Sequence, residues 1–538
     1  MHDRIPLLRS SSLLILVVLS LLLAATLIPS AGCNDPTGDR AVPSQTNIGP
    51  IPEAKDQDIR SLGVAGYAKL LCSSVFVTGM KEAEAIEHSR RVVGALFRLP
   101  AADFPDLGEE VDYDNQVVRA SLGGTLTRTA KLYGDQGYII HPVAHEGIFF
   151  EPVPVQTSLP DAQTQAWPMG DMLSDDPLPP EVDQEKVEAA VNLAFEKPSR
   201  IAGMVVLYKG RLVAERYAEG ITKNTLLESW SQGKSLTDTL IGRLEQEGLL
   251  KLEDPAPVPE WQQPGDERAQ IRIADLMRMS SGLKFTLYEA LVKTPEGRYV
   301  VGPEYPDHYY PYCGAIDIFR YVASRPLQYP PNTVGRYRNC DPLTLGYIVK
   351  CIVRAQGEEY LTYPQRALFD EIGIRRMVLD TDPYGNFVLS GYEHGTVRDW
   401  ARIGLLYLQE GLWQGKRLLS KDFVDFVRTP APAWNNEENK ESVARYGGMW
   451  WLNTTGNYDA PEDTYYAAGA GGQTTLVIPS RQIVVAKLTD YDDSVPGISK
   501  AKANAALKGI LAAIRREKRV ISEQSQVISE QSQVISLK

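Results

Sequence analysis

The sequence is short of what builds a metal centre. Its six histidines are scattered over 538 residues. His141 and His145 stand four apart, but Pro142 between them opposes a helix, and HExxH does not occur. None of Cys72, Cys313, Cys340 and Cys351 belongs to a CxxC or neighbours a histidine at ligand spacing, which argues against zinc. GxSxG is also missing, which disfavours an α/β-hydrolase. Net positive charge is lacking too. A formal charge of −12 suits phosphate backbones poorly, so nucleic acid is not an expected partner. What is present is globular in character, 43% hydrophobic and 23% charged. The length allows two or three domains, or one large domain with attachments.

The chain opens on Arg4 and Arg9, an apolar run from Leu13 to Ile28, and Ser30-Ala31-Gly32-Cys33. A basic start, a short apolar core and a small-residue exit predict a secretory signal over residues 1–32. The run is short for a membrane-spanning helix. Cys33 after Ala31-Gly32 resembles the cysteine of a bacterial lipobox, with Ser30 where that motif usually has leucine. The resemblance implies a lipidated Cys33 as the mature N-terminus, hence an exported protein of the periplasm or cell envelope anchored to a bacterial membrane. A plain secreted protein would instead leave a free exposed thiol. An oxidising compartment permits one or two disulfides among Cys72, Cys313, Cys340 and Cys351, whose pairing spacing cannot fix.

Residues 33–55 read as a flexible tether of Pro, Gly, Ser, Thr, Asp and Gln. Residues 56–165 form an N-terminal α+β region with a helix around 81–97 and strands at Gln116–Ala120 and Gly137–His141. It carries no interpretable motif. Packing on the next domain, binding a partner and roofing a site all stay open. After a Pro- and Asp-rich stretch, residues 166–518 hold the main domain. A helix fits 184–196, and MVVLYKGRLVAERYAEG reads as a hairpin around Lys209-Gly210. A helical pattern runs from Ser231 to Gly248. Helices and long loops fill 270–430. TYYAAGAGGQTTLVIP and RQIVVAKLTD read as two strands joined at Pro479-Ser480-Arg481, and a last helix spans 498–516. Strands at both ends of a helical middle predict an α+β fold: an antiparallel sheet from two distant segments, flanked by helices, with an inserted helical lobe. The tail, 519–538, repeats VISEQSQ without coiled-coil spacing and has no expected part in catalysis.

Ser-x-x-Lys occurs three times, at Ser231/Lys234, Ser281/Lys284 and Ser499/Lys502, so the bare motif singles out none. Ser281 precedes Gly282 at a helix exit, and Ser499 opens the last helix, where a serine is most simply a cap. Ser231 has the cap reading too. Chemistry adds another. Residues three apart on a helix share a face, so Lys234 can stand beside the Ser231 hydroxyl. A serine becomes a nucleophile when a neighbour takes its proton, and a lysine does so only once burial or a nearby cation strips its own. A helix start also frees a backbone N–H to meet developing negative charge. A second proton-transfer group is available in Tyr337-Arg338-Asn339, between Pro330-Pro331-Asn332 and an apolar helix from Leu343. Tyr384-Gly385-Asn386 is a rival, but it sits in a turn. Gly469-Ala470-Gly471-Gly472-Gln473, on a predicted strand, marks either close approach of a ligand or a β-bulge without one.

SWSQGKSLTDTLIGRLEQEGLLKLEDP, IADLMRMSSGL, PPNTVGRYRNCDPLTLGYIV and AAGAGGQTTLVIPSRQIVVAKL follow the order of the β-lactamase-related serine hydrolases. That family includes class C β-lactamases, D-alanyl-D-alanine carboxypeptidases, esterases and 6-aminohexanoate-dimer hydrolase. The likeness spans about residues 184–516. It leans to the 6-aminohexanoate-dimer hydrolase and esterase side, on the Gly-Gly-Gln ending and RDWARIGLLYL. It implies a β-lactamase/transpeptidase-like fold with Ser231 as nucleophile, Lys234 as proton acceptor and Tyr337 as the relay to the leaving group. The implied oxyanion hole is the N–H groups of Ser231 and Ala470, each such donor typically worth ~3 kcal/mol of barrier. Gly469, Gly471, Gln473 and Asn339 join it as substrate-binding candidates. No metal or organic cofactor is implied.

One departure is informative. Where β-lactamases and carboxypeptidases have lysine or histidine, a small residue and glycine, this chain has Ala467-Ala468-Gly469. Alanine cannot hold a substrate carboxylate, which favours an ester or amide without one. The expectation is therefore an exported hydrolase of small esters or amides acting through a Ser231 acyl-enzyme, with transfer to another acceptor left open. The alternatives are β-lactamase or D,D-peptidase activity, and a non-catalytic envelope binding protein on the same fold. That last would be marked by a lost Ser, Lys or Tyr, and none is lost. YPDHYYPYCGAIDI makes Tyr309, Tyr310 and Asp317 cleft candidates, with packing on the helical lobe as the equal alternative. His394 reads as a cap or loop residue. Oligomeric state is not legible.

Overall fold

The structure is a computed structural model. It describes residues 59–97, 106–143, 145–286, 291–293, 299–301, 307–435, 445–491 and 497–516. The signal, the tether, Cys33 and the repetitive tail lie outside the described residues.

The N-terminal region opens with helix α1 (Ile59–Ser73) and helix α2 (Glu82–Phe97). Strands β1 (Leu107–Asp112), β2 (Val117–Leu122), β3 (Leu126–Leu132) and β4 (Tyr138–Ile140) follow as an antiparallel meander. The helix and the two strands expected here form near their expected bounds. α1 was not foreseen. Its sequence, IRSLGVAGYAKLLCS, is apolar nearly all round, so it has no 3.6-residue stripe to betray it. Burial explains the pattern: Leu62, Val64, Ala65, Tyr67, Ala68, Leu71 and Cys72 are each 0% exposed. By length and composition Arg60–Thr78 would pass for a membrane span, but 83% of its apolar window is buried inside the fold. α1 packs on β2 and β3 and on the short helix Tyr310–Cys313. Its residues share one continuous hydrophobic core with Leu236, Leu240 and Trp400 of the main domain.

The main domain begins with α3 (Gln184–Ala194), capped by Asp183, whose side chain accepts the Lys186 N–H. Strands β5 (Ile201–Tyr208) and β6 (Arg211–Tyr217) make the expected hairpin. β7 (Leu227–Glu228) leads through a 3₁₀ turn, Trp230–Gly233, into α4 (Lys234–Gln246). α5 (Ile273–Met277), α6 (Ile318–Ala323), α7 (Cys340–Ala355), β8 (Val378–Leu379), β9 (Glu393–Gly395) and α8 (Val397–Leu408) build the lobe. A Thr396–Asp399 capping box starts α8.

The chain then returns to the sheet with β10 (Arg445–Tyr446), β11 (Trp451–Leu452), β12 (Tyr465–Gly469), β13 (Gln473–Ile478) and β14 (Ile483–Thr489), and closes with α9 (Ile498–Ala513). Among the described residues the main sheet runs β10-β11-β12-β13-β14-β5-β6, antiparallel throughout. Two segments more than two hundred residues apart thus share one sheet, as the sequence predicts. α3 and α9 cover one face over Val206, Leu476 and Val485. α8 lies on the other, which opens into the lobe. β5, β13 and β14 are buried along their whole length, as strands covered on both faces should be. TYYAAGAGGQTTLVIP is two strands rather than the expected one. Gly471 at φ 71° and Gly472 at φ 93° fold it into a hairpin, β12 to β13.

Cys72, Cys313 and Cys340 are buried free thiols, so none of the bridges that the sequence permits among Cys72, Cys313, Cys340 and Cys351 forms. Because α1 belongs to the common core, Leu71→Ala should cost about 2–5 kcal/mol. Urea unfolding followed by far-UV circular dichroism and tryptophan fluorescence should still show one transition. Two transitions would mean that α1 belongs to a separately folding unit.

Candidate active site

Of the three Ser-x-x-Lys pairs, the fold joins one. Lys234 Nζ donates to Ser231 Oγ at 3.0 Å and to the Ser390 carbonyl at 2.7 Å. Ser281 is elsewhere engaged, donating to Asp341 Oδ1 at 2.7 Å, and Lys284 is exposed. Ser499 accepts the Arg200 N–H at 2.9 Å, while Lys502 turns to Glu196. Ser231 is not the helix cap either. It stands inside the 3₁₀ turn, and the N-cap position of α4 is Gly233.

Lys234 is 1% exposed. Burial pulls its pKa from 10.5 down to about 7, opposed by the Glu393 carboxylate, which pulls it back up. A lysine in that state has a lone pair to offer a serine proton near neutrality. Tyr337 completes the group. Lys234 Nζ lies 5.0 Å from the centroid of the Tyr337 ring, which stacks on Trp451 at 5.5 Å. Ser231, Lys234 and Tyr337 therefore converge from the Trp230–Gly233 turn, the start of α4 and the loop before α7.

The backbone around Ser231 is held under strain. Trp230 adopts φ 50°, a left-handed conformation that a bulky residue takes only when its surroundings insist. Its ring is fixed by Tyr491 at 5.3 Å and Tyr392 at 6.1 Å. The end of β12 presses on the turn from the other side. A Cβ on Gly469 would collide with the Ser229 carbonyl oxygen, so only glycine lets the hairpin approach.

A cavity of about 530 Å³ opens at this point. Ser231, Tyr337, Trp451, Gly469, Ala470 and Gln473 line it, so the glycine run marks an approach to a cleft. Ala470 follows the last residue of β12 at the mouth of the hairpin. Gln473 spends its amide on the scaffold: Nε2 donates to Thr489 Oγ1 at 2.9 Å and Oε1 accepts the Thr489 N–H at 2.8 Å. Gly471 forms the turn and packs against the Tyr491 ring. Asn339 is buried behind the cavity, with Nδ2 3.3 Å from His308 Nε2.

The aromatic loop divides. Tyr309 lines the cavity and donates to the Leu96 carbonyl at 2.7 Å. Tyr310 does not line it. It is buried against Tyr321, with centroids 5.0 Å apart. Asp317 caps α6, accepting the Arg320 N–H at 3.1 Å and the Asn386 amide at 2.9 Å. His394 is in β9 rather than a loop, fully buried, and hydrogen-bonded to the Tyr138 hydroxyl.

Sequence reading missed three contributors, Glu393, Lys487 and Lys500, and gave no role to a fourth, His308 of the aromatic loop. His308 lines the cavity, its pKa held well below the ordinary value by burial and by the charges of Lys234 and Arg338. Glu393 is wholly buried at the back of the Trp230–Gly233 turn, where Ser229 Oγ donates to its Oε2 at 2.6 Å. Burial pushes its pKa up to about 8. Lys487 and Lys500 line the far end of the cavity. Across β12, β13 and β14, Ala468 pairs with Thr474 and Thr474 with Lys487, so the three share a face. The cleft thus does have cations, supplied by β14 and α9 instead of by β12. A lone charge in the strand IVVAKLT was the signal for Lys487.

Gly233 is another position at this turn where a side chain would displace its neighbour. A Cβ there would fall inside the Glu393 carboxylate. Gly233→Ala should slow phosphonylation of Ser231 by a fluorophosphonate by at least about tenfold, because displacement of a supporting group misplaces the pair. Adding Glu393→Ala should recover most of the loss. An unchanged rate in the single variant would show that Glu393 does not brace the turn.

A family model described as Beta-lactamase matches residues 191–509, more than half of the chain. Solved structures similar to this chain include a protein provisionally named a 6-aminohexanoate-dimer hydrolase from Bacillus anthracis. It shares 19% identity over 59% of this chain and 81% of its own, with a TM-score of 0.47. A family VIII carboxylesterase shares 14% identity over 62% of this chain and 98% of its own, with a TM-score of 0.47. A penicillin-binding protein homologue from Caulobacter crescentus gives 14%, 62%, 98% and 0.44 on the same measures. No curated protein matches the chain.

Proposed function

Because the chain belongs to the Beta-lactamase family, whose members are serine hydrolases, we propose that it cleaves an ester or amide through an acyl-enzyme on Ser231. The observation that carries this reading is the 3.0 Å contact between Ser231 Oγ and a lysine buried to a pKa of about 7. In the acylation step Lys234 takes the Ser231 proton as Oγ bonds to the substrate carbonyl carbon. Tyr337 passes a proton to the departing alcohol or amine. The oxyanion formed on Oγ addition, before that departure, is met by the N–H groups of Ser231 and Ala470, and Tyr337 recovers its proton from Lys234. Water then attacks the acyl carbonyl, and its proton goes to Ser231 Oγ as the Oγ–acyl bond breaks and the acid leaves. An amine or alcohol taking the place of water would make the protein an acyltransferase by the same chemistry.

We further propose that the protein is exported and anchored to a bacterial membrane through Cys33, on the sequence of residues 1–33. A second reading, cleavage of a carboxylate-bearing amide such as a β-lactam, is favoured by Lys487 and Lys500 in the cleft. A chromogenic cephalosporin separates the two: steady turnover by Ser231 favours the second, and turnover of p-nitrophenyl esters alone favours the first.

The protein without residues 1–32 should be labelled by a fluorophosphonate on Ser231, as mapped by peptide mass, and Ser231→Ala should lose both the label and ester turnover. kcat/KM should rise with pH through about 7, because Lys234 is a base only after losing its proton. A label elsewhere, or a Ser231→Ala variant with full turnover, would contradict the reading.

A further inference from the structure

Glu228 and Asp380 turn away from solvent behind the nucleophile turn, and the cation between them comes from the N-terminal region, outside residues 191–509. It is Lys69, on the C-terminal half of α1. Its Nζ lies 2.5 Å from Glu228 Oε1 and 3.7 Å from Asp380 Oδ2, with the Lys69 side chain 1% exposed. It also stands over the Tyr392 ring at 3.0 Å and the Tyr138 ring at 4.5 Å. Isolated charges are not left in a core, so this cation and these acids depend on one another.

Two of the partners of Lys69, Glu228 and Tyr392, lead to Lys234. Glu228 directly precedes Ser229, whose N–H and Oγ both donate to Glu393, at 2.8 and 2.6 Å. The Glu393 carboxyl lies over Gly233 and pulls on the charge of Lys234. On the other side, Tyr392 packs against Tyr312 at 4.7 Å. The Tyr312 hydroxyl donates at 2.9 Å to the Ser390 carbonyl, the same oxygen that accepts from Lys234.

We propose that Lys69 is a positioning residue of the Ser231 site. It balances the carboxylates behind the nucleophile turn, so that Glu393 and Tyr392 hold Lys234 against Ser231. The N-terminal region is then a working part of the active site, supplied by a segment that the family domain does not include. The proposal rests on the reading of Lys234 as the base.

The groups that face the cluster fix the sign of the test. Glu228, Lys234, Asp380, Glu393 and His394 come from the main domain, and Lys69 and Tyr138 from the N-terminal region. Tyr312, Tyr337 and His308 lie about Lys234 from the lobe, and Arg338 acts on His308. Loss of the Lys69 charge leaves Glu228 and Asp380 unbalanced. The more negative surroundings favour protonated Lys234, and the acidic limb of reactivity moves to higher pH. Loss of the Glu228 charge moves it to lower pH.

The experiment is the pH dependence of Ser231 phosphonylation in the protein without residues 1–32, compared for the parent, Lys69→Met, Glu228→Gln and the double variant. Lys69→Met should raise the limb by up to about 0.5 pH unit and Glu228→Gln should lower it, since these charges act on Lys234 from behind Glu393 rather than in contact with it. The double variant should return near the parent. Should Lys69→Met fail to fold, the downward shift in Glu228→Gln still decides. Limbs that coincide in every variant, with only rate or stability reduced, would overturn the proposal and leave Lys69 as a packing residue. A parent protein labelled elsewhere than Ser231 would overturn the reading of the site itself, and the proposal with it.

Discussion

The site depends on keeping one ammonium group out of water. Lys234 begins a helix whose residues are buried from Lys234 through Leu244, and it lies under a cleft rather than at its edge. Transfer to a low dielectric costs the charged form far more than the neutral one, which is why a lysine with an ordinary pKa of 10.5 is drawn to about 7 here. Much of the surrounding fold secures that burial. α4 is bolted into the lobe by its own polar side chains: Ser235 donates to the Met449 carbonyl, Thr237 to the Leu389 carbonyl, and Asp238 accepts from Tyr407 and Trp450. Each of these groups is satisfied, so the helix can be polar and buried at once.

A second constraint is convergence. The Trp230–Gly233 turn, the tyrosine loop and the β12–β13 hairpin come from three distant parts of the chain. They meet because two far-apart segments share one sheet while the intervening residues form the lobe. The hairpin reaches the turn through a glycine, and the turn accepts Glu393 beneath it through another. α2 adds a wall. Ala95 and Leu96 line the cavity, and His88 bonds to Asp490 at 2.5 Å beside the lining residue Tyr491. The N-terminal region therefore bounds the cleft from outside the family domain and shares the core beneath it.

Much of this was legible in the sequence. The 3.6-residue period gave α2, α3 and α4, and β-branched runs gave β5, β6 and β14. The Ser-x-x-Lys spacing with a downstream tyrosine and a glycine run named Ser231, Tyr337, Gly469 and Ala470, which line one cavity, and Lys234, which contacts Ser231. What escaped had no local signature. α1 is apolar on every side, so it offers no stripe. Ser390 reaches the site from a loop and Glu393 from the central strand of the three-stranded sheet β8-β9-β7, and their roles exist only after folding. Gln473 and Asp317 carry side chains suited to binding, but strand and helix ends claimed them for hydrogen bonds of their own. The carboxylate anchor was sought on β12, whereas the cations enter from β14 and α9.

The most direct test of this account is the titration of Lys234 itself, followed by nitrogen-15 or reductively methylated carbon-13 NMR in the folded protein, with Lys234→Arg to assign the signal. The account predicts a midpoint near 7. A midpoint near the ordinary value of about 10.4 would mean that Lys234 stays protonated at neutral pH, and that something else must take the proton from Ser231.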